Sequence, residues 1–285
     1  MVREILTAWD ISAKKIKEKE RGWWMIDDVY DLRDYKNVKW AAEEVQMLED
    51  MSKCGLPVDK VICTKEGTAY DPQGHVLTWK CKGEPVQQVD RFNGRMFGRG
   101  IGEVTKALKQ HEIQERIWDD GLADQLMIWE FVFAMEGWPL ISQQEWNRLI
   151  ANLREKTSGL RVQMLDQRMR VGSFLFEEER FSGYVSYFHL EKRLCLESLT
   201  NMLVRLLCEG YIPLQEGWLD VVKQVIMGYE DIIPMSMDEK EALVYIMEYE
   251  AVLFTALALN SIDRKKDALI RAKVFHMIRM KEAEL

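Results

Sequence analysis

The chain has 285 residues, 47% of them hydrophobic, with a net charge of -8 and only 6 prolines. That length allows one large domain or two smaller ones, and the composition excludes long disordered or low-complexity segments. The acidic balance opposes generic attraction to nucleic acid or membranes, while 10 tryptophans and 16 methionines supply packing anchors and gap-fillers suited to a core or a protein interface.

Residues 2–20 carry Ile5, Leu6, Trp9 and Ile16 near one side and lysines on the other, which predicts an amphipathic helix. The first twenty residues lack the apolar core of a signal peptide. The 5 cysteines are odd in number with no CxxC. Both features point to free thiols in a reducing, intracellular compartment, cytoplasmic rather than nuclear. Next, Asp27, Asp28, Asp31 and Asp34 are interspersed with Trp23, Trp24, Met25, Ile26, Val29, Tyr30 and Leu32. They lack the spacing and glycine turn of a calcium loop, so they read as a solvated acidic helix face.

A second helix follows over residues 38–53, with Ala41, Val45, Leu48 and Met51 at helical spacing and Gly55 and Pro57 as its stop. The period then changes to two: Val61 and Cys63, then His75, Leu77, Trp79 and Cys81, with turn chemistry at Asp71 to Gly74. This predicts an antiparallel meander over residues 58–82, with the helix ending at Lys53 against one face.

From Pro85 onward the pattern is helical over residues 101–118, 122–135, 143–156, 184–209 and 218–229, with residues 170–183 irregular or a short strand. Ser142 with Glu145, and Ser236 with Glu239, are capping boxes. Residues 236–260 form the most strongly written helix, apolar on every side from Ala251 to Leu259 apart from Thr255. Glu248 and Glu250 argue against a membrane span and for a buried core helix. The last helix opens at Arg264 and closes at Lys281; its basic face matches the acidic entry of its neighbour, so internal packing is favoured over a binding arm. No fixed-period repeat is present. The expected fold is mainly α: a helical bundle with a small antiparallel β meander, divided into an N-terminal α+β region (1–97) and a C-terminal helical domain (98–285).

Three constellations are candidates for chemistry. Cys54, Cys63, His75 and Cys81 are ligand types that suit structural zinc, but their gaps of eight, eleven and five residues depart from knuckle spacing; buried free thiols are the plainer reading, and no cofactor is expected. Gly98, Gly100 and Gly102 precede Lys106 and read as a hinge or as a phosphate-handling loop at a helix N-terminus, without the GxGxxG or Walker pattern. Arg91, Arg95, Arg99, Arg154, Arg161, Arg168 and Arg170 give the middle of the chain a basic bias that suits a single-strand nucleic-acid groove, or else solvated helix faces.

No GxSxG, HExxH or deaminase motif occurs. The leading expectation is a non-enzymatic structural or adaptor protein working through protein contacts, self-assembly among them; a viral assembly or matrix-like role suits it by analogy. The alternatives are an RNA-binding protein of nucleocapsid type and a phosphate- or nucleotide-handling enzyme at Gly98 to Lys106.

Overall fold

A computed structural model describes residues 2–109, 142–166, 169–185, 190–214, 217–259 and 274–279. The chain divides into two compact units, Met1–Pro85 with Ser173–Phe188, and Val86–Gly172 with His189–Leu285. In chain order the first part runs α1 (Val2–Ile5), a 3-10 turn (Leu6–Trp9), β1 (Ile16–Glu20), β2 (Trp23–Ile26), β3 (Tyr30–Asp34), α2 (Val38–Lys53), β4 (Lys60–Val61), β5 (His75–Trp79), β6 (Glu84–Pro85) and α3 (Gly94–Lys109). After it come α4 (Gln143–Thr157), β7 (Val162–Asp166), β8 (Phe174–Glu177), β9 (Arg180–Tyr184), β10 (Leu190–Leu194), α5 (Glu197–Cys208), α6 (Trp218–Glu230) and α7 (Met237–Leu259).

The first unit is built on a five-stranded antiparallel sheet in the order β1-β2-β3-β5-β4. Residues 2–20 are therefore not one helix. Helical structure stops at Trp9, and the charged alternation Lys17, Glu18, Lys19, Glu20 belongs to an edge strand. Nor are the aspartates of residues 27–34 a helix face. Asp27 and Asp28 make the β2–β3 turn with φ of 51° and 60°, the left-handed conformation that two-residue hairpins demand and that aspartate tolerates. The Asp27 carboxylate accepts from the backbone N–H groups of Lys14 and Lys15 at 3.0 and 2.6 Å, which pins the chain entering β1.

Register places Trp24 opposite Leu32 and Leu32 opposite Leu77. One face of the sheet is thus apolar, and Leu6 and Trp9 from the N-terminal turns cover it, forming a core with Ile26, Leu32 and Leu77. Helix α2 carries its buried residues at Ala41, Glu44, Val45, Leu48 and Met51, one helical stripe; Ala41 and Val45 pack with Val76 of β5. The Asn37 side chain caps this helix by accepting from Lys39 N–H at 2.8 Å. The expected meander of residues 58–82 is the far edge of this sheet. A second sheet, β6-β8-β9, completes the unit, with Phe174, Phe176, Phe181 and Tyr184 in edge-to-face or tilted contact.

The second unit is mostly helical. Strands β7 and β10 pair antiparallel from Val162↔Leu194 to Asp166↔Leu190, so residues 184–209 are a strand followed by α5 rather than one helix. Helix α7 is the buried helix read from the sequence. Ser236 N–H donates to the Glu239 carboxylate at 2.8 Å and Glu239 N–H returns to the Ser236 hydroxyl at 3.2 Å, and Tyr249 stacks on Trp146 of α4 with ring centroids 6.2 Å apart. Among the described residues no helix is long and apolar enough to cross a membrane. The expected helix at residues 122–135 and the turn at Asn260 and Ser261 lie outside the described residues, as does residue 264–273 of the basic helix. Residues 274–279 are helical, and Arg279 pairs with Glu145 of α4 at 3.1 Å.

The architecture is mixed α/β, which corrects the expectation of a helical bundle with a small meander. The overlooked strands are short, and most of them (β1, β3, β7 and β10) carry charged residues while β2 is apolar throughout, so their alternation is weak; pairing with neighbours, rather than local pattern, makes them strands.

Candidate functional site

The strand period puts Tyr30 and Leu32 of β3 toward the apolar core and Asp31 and Arg33 on the opposite face. Arg33 is almost wholly buried, with a side-chain exposure of 2%. One end of its guanidinium donates to the Glu44 carboxylate at 3.0 Å and the other to Asp59, just before β4, at 3.2 Å. Glu44 comes from the buried stripe of α2. Asp59 also accepts from the Cys81 backbone N–H at 2.9 Å, which ties in the segment after β5. One cation therefore joins a strand, a helix and two connecting segments.

Removing one partner of such a buried ion pair costs about 3–5 kcal/mol, because a charge is left uncompensated. Burial pushes the Asp59 carboxyl up from the usual range, with the Arg33 charge pulling against it. The Cys81 thiol is pushed up to about 12, by burial first and by Asp59 second, so it is not a reactive thiolate.

The same sheet face carries an aromatic and two further cations. Trp23 of β2 lies opposite Arg33 in register, with the guanidinium carbon 5.1 Å from its ring centroid. Lys19 of β1 sits with its ammonium 4.4 Å from that ring and donates to Asp31 at 3.2 Å. Lys80 donates to the Met25 sulfur at 3.6 Å. A cation over an indole face is worth on the order of 1 kcal/mol, more when desolvated. This is a polar face on which three cations, Lys19, Arg33 and Lys80, stand with three carboxylates, Asp31, Glu44 and Asp59, beside one indole ring.

The residues singled out from the sequence lie elsewhere. Gly98, Gly100 and Gly102 are inside α3, neither a loop nor a helix N-terminus, and Gly98 and Gly102 pack closely against residues of the α6 region. Arg95 forms a two-bond pair with Asp231 at 2.9 and 2.8 Å, and Arg99 adds to the field that lowers the Asp231 carboxyl below the usual range. Arg161 grips Glu239 through two bonds of 2.8 Å and donates to the Pro234 carbonyl at 3.1 Å. Arg91 stacks on Phe92 at 4.7 Å. Lys106 and Arg170 are exposed, Arg154 lies on α4, and Arg168 is outside the described residues. Two of the most promising arginines are thus committed to ion pairs that brace helices.

The zinc set does not assemble. Cys54 is the C-terminal cap residue of α2, Cys63 is exposed, and the His75 ring is bonded to Asp71 at 2.8 Å. Among the described residues no group of three or more His, Cys, Asp or Glu could hold a metal ion.

Arg33 and Glu44 went unnoticed in the sequence, although one signal was present. Glu44 falls on the apolar stripe of α2, and a carboxylate on a buried stripe requires a cation from elsewhere.

A buried cation on the third strand of a five-stranded antiparallel sheet, paired to a glutamate on the helix that follows, resembles the lysine–glutamate pair of protein kinases, with arginine in place of the lysine. The chain has a kinase fold. No protein-family model matches the sequence, and no curated protein does. Solved structures do match over nearly the whole chain. An aminoglycoside phosphotransferase from Alicyclobacillus acidocaldarius aligns at TM-score 0.70 and 11% identity, over 99% of this chain and 96% of that one. A choline/ethanolamine kinase family protein from Mesorhizobium loti aligns at TM-score 0.63 and 14% identity, over 100% and 94%. An amicoumacin kinase, solved with AMP-PNP and Ca2+, aligns at TM-score 0.65 and 12% identity, over 99% and 91%. This finding overturns the structural or adaptor reading with its viral analogy, and also the separate alternative of a nucleocapsid-type RNA-binding protein. Of the sequence expectations, the phosphate-handling alternative fits the fold better, but not at Gly98 to Lys106.

Proposed function

We propose that this chain is a nucleotide-dependent phosphotransferase that acts on a small acceptor bearing a hydroxyl and an amine. The observation that carries the reading is that the whole chain, not one unit of it, aligns with kinases named for aminoglycosides, for choline or ethanolamine and for amicoumacin. The reaction moves the terminal phosphoryl group of a nucleoside triphosphate to the acceptor hydroxyl, releasing the diphosphate and the hydroxyl proton. The Trp23-bearing face of the first unit, with the partly exposed Lys19 on it, suits the nucleotide, and the net charge of -8 suits a cationic acceptor. Among the described residues no group of three or more His, Cys, Asp or Glu is placed to hold a metal ion, and no step is routed through one.

One observation favours a second reading, in which the chain holds a nucleotide without transferring its phosphoryl group. None of His75, His111, His189 and His276 is followed two positions on by aspartate, and no Asp-Phe-Gly occurs. The protein-kinase sets that supply the catalytic aspartate and the metal-binding aspartate are therefore missing from the chain.

The test is purified protein with ATP or GTP and Mg2+, assayed for nucleotide binding and for acceptor-dependent diphosphate release with ethanolamine, choline, aminopropanol and kanamycin. Release that requires an acceptor supports transfer. Binding without release in any pairing favours the second reading. Neither binding nor release overturns both.

A further inference from the structure

We infer that the cation meeting the nucleotide's phosphates on the first unit is Lys19, and that Arg33 is a buried clamp. The assignment rests on the nucleotide reading above and deepens it.

Arg33 stands where the kinase arrangement puts the phosphate-contacting cation, on the third strand and paired to the following helix. Here, however, both ends of the guanidinium are taken, by Glu44 at 3.0 Å and Asp59 at 3.2 Å, and the side chain is 2% exposed. To turn toward a phosphate it would have to leave two buried carboxylates without their cation, a penalty larger than one phosphate contact contributes.

Lys19 differs in each respect. It shares the face of Trp23 and Asp31, and its side chain is 27% exposed while its partner Asp31 is 1% exposed. An ammonium has three donors. One goes to Asp31 at 3.2 Å, and the ring of Trp23 lies 4.4 Å beneath, which leaves a donor toward solvent without breaking either contact. Lys19 is also the extra residue of a β-bulge: β1 and β2 pair Glu18 with Trp24 and then Glu20 with Trp23, and Lys19 has no residue opposite. Bulges of this kind re-aim a side chain and recur beside functional sites. Charge, exposure and a stacked indole thus meet at one residue, on the same sheet face as the displaced cation position.

The experiment measures binding of Mg·ATP, Mg·ADP and adenosine by calorimetry to wild type, Lys19→Met, Lys19→Arg and Lys39→Met. Lys39, an exposed lysine on α2 paired to Glu43, is the control. Lys19→Met is expected to weaken ATP and ADP by about tenfold or more and to leave adenosine unchanged, as loss of a charge-assisted phosphate contact requires. Lys19→Arg is expected to recover most of the loss, and Lys39→Met to bind like wild type. The unliganded melting temperature of each variant checks that folding is intact. ATP binding unchanged in Lys19→Met overturns the assignment while the nucleotide reading stands, and an equal loss for adenosine reassigns Lys19 to packing around Trp23. No nucleotide binding by wild type overturns both.

Discussion

Gly98 of α3 and Gly228 of α6 bring two helix backbones into contact: a Cβ on Gly98 would overlap the carbonyl of Val225, and one on Gly228 the carbonyl of Arg95. Gly94 and Gly102 extend the same stripe at intervals of four, meeting Gln224 and Ile232. The Arg95–Asp231 pair at 2.8 Å braces the crossing from outside. Glycines spaced this way on one helix face let another helix approach closely.

Gly98→Ala and Gly228→Ala are therefore expected to destabilise the protein, even though alanine is the better helix former. The obstructing atoms belong to backbone that cannot swing away, so each variant should lose about 1–3 kcal/mol or more, as overpacking does. Gly172→Ala is the comparison, since nothing lies within 4 Å of the added carbon; a change within about 0.5 kcal/mol is expected there. Urea denaturation measures all three. Equal midpoints would mean that the helices are not in backbone contact.

Arg33→Met should be among the most damaging single changes in the first unit. It leaves Glu44 and Asp59 buried beside an apolar side chain, at a cost of about 3–5 kcal/mol. Adding Glu44→Gln and Asp59→Asn to that background should recover part of the loss, because the stranded charges go with them. Chemical denaturation of the single and triple variants reads this out, and a triple variant weaker than the single would contradict it.

The second unit holds a pH-dependent term. Glu250 of α7 accepts from the Asn201 amide at 3.1 Å. It shares a small cavity of about 30 Å³ with Asp166, Glu197 and Ser198. Burial first, and the Glu197 charge second, push the Glu250 carboxyl from 4.5 up to about 7. The folded value is raised, so the folded state binds the extra proton. Stability is greatest at low pH and falls as pH rises from about 4.5 to about 7. Across that window the effect is on the order of 3 kcal/mol. Glu250→Gln should match wild type near pH 5, exceed it at pH 8, and flatten the slope of melting temperature between them. An unchanged slope would place the proton elsewhere.

The β8–β9 turn uses two glutamates where glycine and asparagine are the usual choice. Glu178 and Glu179 have φ of 47° and 62°, and Glu177 pairs with Arg180 across them. Replacing the two by Asn-Gly should raise stability by about 1 kcal/mol, since those residues adopt the left-handed conformation at lower cost. A denaturation midpoint that does not rise would refute the strain.

Much of the local helix grammar was legible in the sequence. The stripe from Ala41 to Met51 gave α2 and its end at Gly55, and the reciprocal pairs Ser142–Glu145 and Ser236–Glu239 marked the starts of α4 and α7. Those signals lie within a few residues of one another and act through backbone donors that every helix start must satisfy. The sheet of the first unit was less legible. β1 is nearly all charged, and the β2–β3 turn is Asp-Asp rather than Asn-Gly, so neither period nor turn chemistry announced a hairpin. Tertiary structure alone decided the meaning of the glycines and of the buried charges. Gly98 reads as a hinge or loop until Gly228 is set against it, and nothing beside Arg33 in the sequence marks it until Glu44 and Asp59 close on it. Backbone approach and charge burial depend on partners far away in the chain, and a pattern confined to neighbouring residues carries no trace of them.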